Sequence, residues 1–232
     1  MTAQNASSRR HPKLDLGSKS SFPFIVIEAL DAGGSQTQTD WLVEHLKKDN
    51  KEPLALHFPQ EDRATGRMVY DKFLLHQNKH PFSIRERALL YILDFYSRNE
   101  DIANALVSQP VVSDRYCTST FVYQTTGLTG DKRKNMMEWL TWLCYGDKPK
   151  LHTPNMVVFI DTPVSIVMKR LKSKKKDFHE TEKKLLAFRQ SYLRVAKEQK
   201  WTVVNGVDEQ GKERTREDIH NEIWQLVEPL VS

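Results

Sequence analysis

The sequence predicts a three-layer α/β fold in which a five-stranded parallel sheet carries helices on both faces. Short apolar segments alternate with segments of helical spacing along the chain, which is typical of repeated strand–helix–strand units. The first apolar segment, residues 24–27, shows no polar alternation, as expected for a strand buried on both faces. We expect strands within residues 24–27, 53–57, 110–116, 154–163 and 201–206.

Apolar residues at helical spacing predict the outer layers. Leu42 and Leu46 mark the first helix, and Ile219 and Ile223 lie in the last, over residues 215–230. Further helical segments are expected at residues 64–76, 83–106, 136–144, 166–170 and 186–196. The regular alternation of these helices with the strands favours a parallel sheet.

Composition limits the classes of protein to consider. At 232 residues, 39% of them hydrophobic, the chain has the size and core of one large domain. We expect no membrane span, because no apolar run approaches the roughly 18 residues that a span requires. We expect no signal peptide, because no apolar stretch follows Arg9 and Arg10. Cys117 and Cys144 offer no disulfide framework and no metal-binding spacing, so free thiols in a cytoplasmic protein are expected.

The chain carries a net charge of +5, part of it in a polar N-terminal segment. We expect residues 1–20 to form a disordered basic tail and residues 21–232 to form a single domain. The charge is compatible with nucleic acid or with anionic nucleotides as ligands. Nucleic acid is the less favoured partner, since no motif combines aromatic and basic residues for its recognition.

The segment after the first strand has the small residues of a phosphate-binding loop. Strand, glycine-containing turn and helix N-terminus together can hold phosphate on main-chain N–H groups. Gly34 matches the second glycine of the G-x4-G-K-S/T pattern. However, Ala29 replaces the first glycine, Ser35 the lysine and Gln36 the hydroxyl residue. A phosphate site and an ordinary strand–helix turn are therefore both open interpretations of this segment.

A second candidate site follows the third strand. The strand ends in Asp114 and Arg115, and Ser119, Tyr123 and Gln124 follow. Because the carboxyl ends of parallel strands face the ligand crevice, Asp114 can orient a magnesium-bound water there and Arg115 can neutralise a phosphate. The alternative is a buried structural Asp–Arg pair.

These segments resemble the signatures of the thymidylate kinase family. Residues 28–38 are similar to its E-G-x-D-G-x-G-K-S/T-T-Q pattern, and residues 114–124 to its D-R-Y-x-x-S-x-x-A-Y-Q pattern. Residues 154–163 resemble P-D-L-V-x-F/Y-L-D-x-P, and residues 177–196 resemble the D-x-H-E and R-x-x-Y-x-x-x-A patterns found in part of the family. The resemblance spans residues 22–230.

The resemblance implies a P-loop kinase fold with a lid at about residues 172–182, and transfer of a phosphoryl group from MgATP to dTMP to give dTDP. The implied catalytic residues are Asp31, Asp114, Arg115 and the lid lysines Lys174, Lys175 and Lys176. The implied ATP-binding residues are Ala32, Gly33, Gly34, Ser35, Gln36 and Thr37. Those implied for dTMP are Phe58, Arg63, Tyr91, Ser119, Tyr123 and Gln124, with Mg²⁺ held by Asp114 through a water. A homodimer through the helix over residues 84–98 is also implied.

Basic residues of the family are replaced at three positions, Ser35, Glu61 and Phe95. Arg63, two residues beyond Glu61, either takes over the phosphate contact or is a surface charge. The replacements leave two alternatives to dTMP phosphorylation: a catalytically impaired nucleotide-binding protein of the same fold, and a kinase for another nucleoside monophosphate. If the enzyme is active, the lid lysines are expected to supply the charge that Ser35 lacks.

Overall fold

The computed structural model describes residues 22–71, 82–147, 150–173 and 181–232. The predicted tail at residues 1–20 and the lysines Lys174, Lys175 and Lys176 lie outside these residues. The strands are β1 (Phe24–Ala29), β2 (Leu54–His57), β3 (Val111–Asp114), β4 (Met156–Asp161) and β5 (Thr202–Asn205). They form one parallel sheet in the order β2-β3-β1-β4-β5, which confirms the predicted five-stranded parallel sheet.

Helices cover both faces of this sheet. Their bounds are α1 (Ser35–Lys48), α2 (Ala64–Val69), α3 (Ile84–Tyr96), α4 (Asn99–Ser108), α5 (Cys117–Tyr123), α6 (Gly130–Tyr145), α7 (Val164–Ser173), α8 (Glu182–Gln199) and α9 (Arg216–Val231). Within the described ranges, no helix is long and apolar enough to cross a membrane.

Alternate residues of β1 enter two separate hydrophobic cores. Phe24 and Val26 belong to one core, which includes Phe121 of α5 and Val195 of α8. Ile25, Ile27 and Ala29 belong to the other, on the opposite face, with residues of α1 and α9. A strand buried on both faces needs apolar side chains in both directions, which is the reason for the uninterrupted apolar run in the sequence.

The helical segment predicted over residues 83–106 is wrong as a single helix, because α3 ends at Tyr96 and α4 begins at Asn99. The side chain of Ser97 donates to the Asp94 carbonyl (2.7 Å), a local bond that competes with continued helix. Arg98 lies outside helical geometry at φ −110° and ψ 1°. Its guanidinium donates to Gln60 Oε1 (2.8 Å) and so ties the break to the segment after β2.

The sheet brings the ends of β1, β2 and β3 together. Ile27 of β1 and His57 of β2 are both in register with Asp114, the last residue of β3. The chain leaves β1 through α1 and returns at β2, so β3 lies between two strands that are consecutive in sequence. Ligand crevices of parallel α/β sheets form at the carboxyl edge beside such a change of direction.

Candidate active site

The segment between β1 and α1, residues 30–34, forms a tight turn that we call the glycine loop. The N–H of Gly33 donates to the Leu30 carbonyl (2.7 Å), and a Cβ at Gly33 would lie 2.7 Å from that same oxygen, so only glycine fits. Ala32 and Gly34 have φ of 58° and 114°. No side chain caps α1, whose first-turn N–H groups are therefore available to an anion.

This geometry suits phosphate, although binding of ATP by Ala32, Gly33, Gly34, Ser35, Gln36 and Thr37 stays a prediction. Ser35 is the first residue of α1 and is buried, whereas Gln36 is exposed. Neither side chain carries a charge. Any phosphate bound at this end of the site would therefore be held mainly by main-chain N–H groups of the glycine loop and of the start of α1.

Asp114 lies at the carboxyl end of β3 and is almost fully buried. Its Oδ2 lies 2.8 Å from Nδ1 of His57, a residue that the sequence had indicated only as part of a strand. Its Oδ1 is buried and has no hydrogen-bond partner among the described residues. A buried carboxylate oxygen without a partner needs a donor, and a water bound to Mg²⁺ would supply one. The residues here therefore fit the predicted magnesium site.

The guanidinium of Arg115 contacts three residues, of which Asp31 and Tyr123 are predicted site residues. Its Nη2 donates to Asp31 Oδ1 in the glycine loop (2.5 Å), and its Nη1 lies 3.1 Å from the hydroxyl of Tyr123. The same Nη1 lies 3.2 Å from the hydroxyl of Tyr192 on α8. Arg115 adopts φ 65°, in the left-handed region, directly after β3 ends. Asp31, Arg115 and Tyr123 thus share one polar cluster, and their roles in catalysis and binding stay predictions.

Behind this cluster lies a buried carboxyl group, Glu28, that is fully enclosed. Thr118 donates to its Oε1 (2.5 Å), and Ser119 and Tyr192 donate to its Oε2 (2.6 and 3.0 Å). Burial raises the pKa of Glu28, while the charge of Arg115 and the hydroxyl donors oppose that rise. The network joins β1, α5 and α8 and engages the hydroxyl proton of Ser119, a predicted substrate contact.

Replacing Glu28 by glutamine should make the folding stability less dependent on pH. Because the pKa of Glu28 is higher in the folded protein than its ordinary value of 4.5, its stabilising contribution is complete below pH 4.5 and declines as the pH rises through the folded-state pKa. The stability of wild type relative to Glu28→Gln should therefore fall from pH 4.5 toward neutral pH.

Urea unfolding at several pH values measures this difference. Glu198→Gln, which removes an exposed carboxylate paired with Arg133, is the control. A wild-type advantage that grows toward neutral pH would contradict the assignment of a raised pKa to Glu28.

The remaining predicted substrate residues have different surroundings. Tyr91 on α3 is partly buried, and burial raises its pKa to about 12, with the charges of Arg115 and Asp31 as further influences. Gln124 is buried at the end of α5, next to Tyr123. Tyr91 and Gln124 thus come from different helices, one near the charged cluster and one on the segment that carries Tyr123. Their contact with a nucleotide stays a prediction.

Phe58 and Arg63 are both engaged with other parts of the protein. The ring of Phe58 is buried against Phe95 and Tyr116, at centroid distances of 5.0 and 5.8 Å. Phe95, where the family has an arginine, is therefore a core residue. Arg63 donates to the Ser97 carbonyl (2.7 Å) and to Asp101 Oδ2 (2.6 Å). To bind a phosphate as predicted, Arg63 would have to release Ser97 and Asp101, which lie just before and within α4.

Two residues of the R-x-x-Y-x-x-x-A pattern fasten α8 to the sheet. Arg189 forms a bidentate pair with Asp161 at the end of β4 (2.6 and 2.8 Å). Tyr192 reaches Glu28 and Arg115, as described above. His57, Glu28, Tyr192 and Arg170, which donates to the glycine loop, were not predicted as site residues. The available signal for His57 was a polar residue at the end of a strand. The signal for Arg170 was the cluster of basic residues at positions 169–176.

Comparisons with known proteins identify the family of this chain. The family model described as thymidylate kinase matches residues 27–219. A thymidylate kinase of Plasmodium falciparum is 30% identical over 203 residues, covering 86% of this chain and 87% of that protein. One from Caldanaerobacter subterraneus is 32% identical over 196 residues, covering 80% and 88%. A solved thymidylate kinase from Candida albicans shares the fold, with a TM-score of 0.65 at 18% identity over 90% of this chain and 92% of that one. The chain belongs to the thymidylate kinase family.

Proposed function

We infer that this protein is a thymidylate kinase, which transfers the γ-phosphoryl group of ATP to dTMP and releases dTDP and ADP. A 5′-phosphate oxygen of dTMP forms a bond to the γ-phosphorus, and the bond from that phosphorus to the β,γ-bridging oxygen breaks. Besides the family membership, the observation that supports this most is the hydrogen bond that joins Arg115, next to Asp114 at the end of β3, to Asp31 of the glycine loop. Phosphoryl transfer needs positioning and neutralised charge, which such a cluster can provide.

On the donor side, we assign the main-chain N–H groups of residues 32–37 to the phosphates of ATP. Mg²⁺ bound with ATP would neutralise charge on the β- and γ-phosphates. Asp114 is the residue that would hold it, through a water on Oδ1, while His57 fixes the other oxygen. Its burial and its contact with His57 restrict the orientations open to this carboxylate.

On the acceptor side, we assign the charge of Arg115 to the phosphate of dTMP. The Arg115 guanidinium donates to Asp31 in the glycine loop. This hydrogen bond links the proposed dTMP site to the proposed ATP site. We assign the base and sugar to residues of α3 and α5 and of the segment after β2: Tyr91, Ser119, Tyr123, Gln124 and Phe58. We assign Arg63 to the phosphate of dTMP, together with Arg115. We propose that the enzyme is cytoplasmic, since two free thiols would remain reduced there.

Calorimetry with dTMP and dTDP tests this assignment. Wild type should bind both, and Tyr91→Ala should weaken dTMP binding about 10-fold, because stacking of a base on an aromatic ring contributes about 1–3 kcal/mol. Trp142→Ala removes an exposed aromatic side chain of α6 and should leave binding unchanged. Absence of heat and of any thermal shift at millimolar dTMP would contradict the proposed function.

We also propose that the enzyme is a homodimer that uses the outer face of α3. Leu89 and Leu93, one helical turn apart, are 47% and 49% exposed, which leaves an apolar stripe on this helix. Tyr96, which the helical spacing of α3 predicts on the same face, packs inward, with its hydroxyl 3.4 Å from the Leu143 carbonyl on α6. Leu89 and Leu93 therefore carry the proposal.

Light scattering at tens of micromolar should give twice the chain mass of 27.0 kDa. The double variant Leu89→Asp and Leu93→Asp should be monomeric, because burial of two unpaired charges in the interface is costly. Leu230→Asp, an exposed leucine of α9, is the matched control and should remain dimeric. A monomeric wild type would contradict the proposed dimer.

A further inference from the structure

Tyr192 of α8 is a fully buried tyrosine whose ring packs against the sheet. The ring stacks on Phe159 of β4, with a distance of 4.7 Å between the ring centroids and an angle of 3° between the ring planes. An aromatic ring in a closely packed interior has few orientations open to it. The packing of α8 on β4 therefore fixes the position of the Tyr192 hydroxyl.

This hydroxyl joins the guanidinium of Arg115 to the buried carboxyl of Glu28. Nη1 of Arg115 lies 3.2 Å from the hydroxyl oxygen and can only donate to it, because a guanidinium has no acceptor. The hydroxyl donates its own proton to Oε2 of Glu28 (3.0 Å). Burial and then the charge of Glu28 raise the pKa of Tyr192 above its ordinary value of 10.0, so the hydroxyl keeps this proton. The three groups thus form a chain of hydrogen bonds directed from Arg115 to Glu28.

The contacts of Arg115 come from three separate parts of the fold. Its Nη2 donates to Asp31 in the glycine loop, and its Nη1 contacts Tyr123 on α5 and Tyr192 on α8. Only 16% of the Arg115 side chain is exposed. Its Nε has no hydrogen-bond partner within the described part of the chain, so this N–H group is available to a phosphate. The direction of that N–H depends on the contacts that hold the rest of the guanidinium.

We propose that Tyr192 is a positioning residue that orients the Arg115 guanidinium toward the phosphate of dTMP. This inference rests on the proposed function, in which Arg115 binds that phosphate, and Tyr192 itself does not contact the substrate. Without the hydroxyl, Nη1 would keep Tyr123 but lose its link to α8. The guanidinium would then be less constrained and would meet the phosphate at poorer angles, which weakens hydrogen bonds steeply.

Calorimetry of Tyr192→Phe with dTMP and with thymidine tests this. The substitution removes only the hydroxyl and keeps the ring that stacks on Phe159. It should weaken dTMP binding about 10-fold, the scale of one charge-assisted hydrogen bond. Thymidine has the same base and sugar but no phosphate, so its binding should weaken less than about 3-fold. A purely structural role of Tyr192 would weaken the binding of both ligands equally.

A double-mutant cycle with dTMP alone shows whether Tyr192 acts through Arg115. Arg115→Met removes the guanidinium and should itself weaken dTMP binding about 10-fold or more. Adding Tyr192→Phe to Arg115→Met should weaken it by less than about 3-fold further, because no guanidinium remains for the hydroxyl to orient.

Tyr145→Phe is the matched control, because the hydroxyl of Tyr145 contacts Sγ of Cys117 (3.0 Å) and belongs to no proposed binding site. This variant should bind dTMP and thymidine as wild type does. Tyr192→Met, which also lacks the hydroxyl, replaces Tyr192→Phe in both measurements if circular dichroism shows that the phenylalanine variant is not folded.

Three results would overturn the inference alone: unchanged dTMP binding by Tyr192→Phe, an equal loss for dTMP and thymidine, or a full further loss when Tyr192→Phe is added to Arg115→Met. The last two would indicate that Tyr192 only supports the packing of α8. A wild type that does not bind dTMP would instead overturn the proposed function together with this inference.

Discussion

Replacing Asp114 by asparagine is expected to lower kcat by about 100-fold or more, the usual cost of losing one charged contact that stabilises the transition state. The substitution preserves shape but removes the negative charge. It also puts a neutral amide where Oδ1 is buried without a hydrogen-bond partner and Oδ2 meets His57. Because the acceptor of the proposed metal-bound water would lose its negative charge, the Mg²⁺ concentration for half-maximal activity should rise as well.

Steady-state assays at several Mg²⁺ concentrations measure both effects. Glu198→Gln, which removes a carboxylate remote from β3, should leave kcat and the Mg²⁺ requirement unchanged. Thermal unfolding would show whether Asp114→Asn remains folded. An asparagine variant that is folded and turns over at the wild-type rate would remove Asp114 from the mechanism.

Neutralising Lys174, Lys175 and Lys176 together should also lower kcat by about 100-fold while changing dTMP affinity little. These lysines belong to the predicted lid, and their contact with ATP is expected mainly in the closed transition-state complex, where it affects kcat more than ground-state binding. The measurement is kcat by a coupled assay together with dTMP affinity by calorimetry.

Lys197→Gln together with Lys200→Gln, two basic residues at the far end of α8, is a suitable control with a similar loss of charge. If the triple lid variant matches wild type in turnover, the lid lysines are not catalytic.

The fold was predictable because its signals are local. The apolar run predicts β1, and the spacing of Leu42 and Leu46 predicts α1. In the structure β1 lies in the sheet and α1 packs on one of its faces. α5 escaped prediction because it is only seven residues long and contains several β-branched residues, whose helix propensity is low. The break between α3 and α4 depends on Arg98 contacting the segment after β2, and apolar spacing does not encode such a contact.

The candidate site was predictable only in part, for a similar reason. Asp31, Asp114 and Arg115 follow the ends of β1 and β3, which a parallel sheet brings together, and the structure joins Arg115 to Asp31. Tyr192 reaches Glu28 across 164 positions of sequence, and Arg170 reaches the glycine loop across 138. Contacts of that range depend on how α7 and α8 pack, which a single sequence does not reveal.

The most direct test of the account is a coupled turnover assay of wild type with ATP, Mg²⁺ and a panel of nucleoside monophosphates: dTMP, dUMP, dGMP, CMP and AMP. The account predicts ATP-dependent formation of dTDP, with dTMP as the preferred acceptor, and a higher rate for Ser35→Lys because it restores a charge beside the loop. A strong preference for another acceptor would contradict the assignment of the base site. Absence of phosphoryl transfer to every acceptor, with no activity gained in Ser35→Lys, would contradict the kinase and favour a nucleotide-binding protein of the same fold.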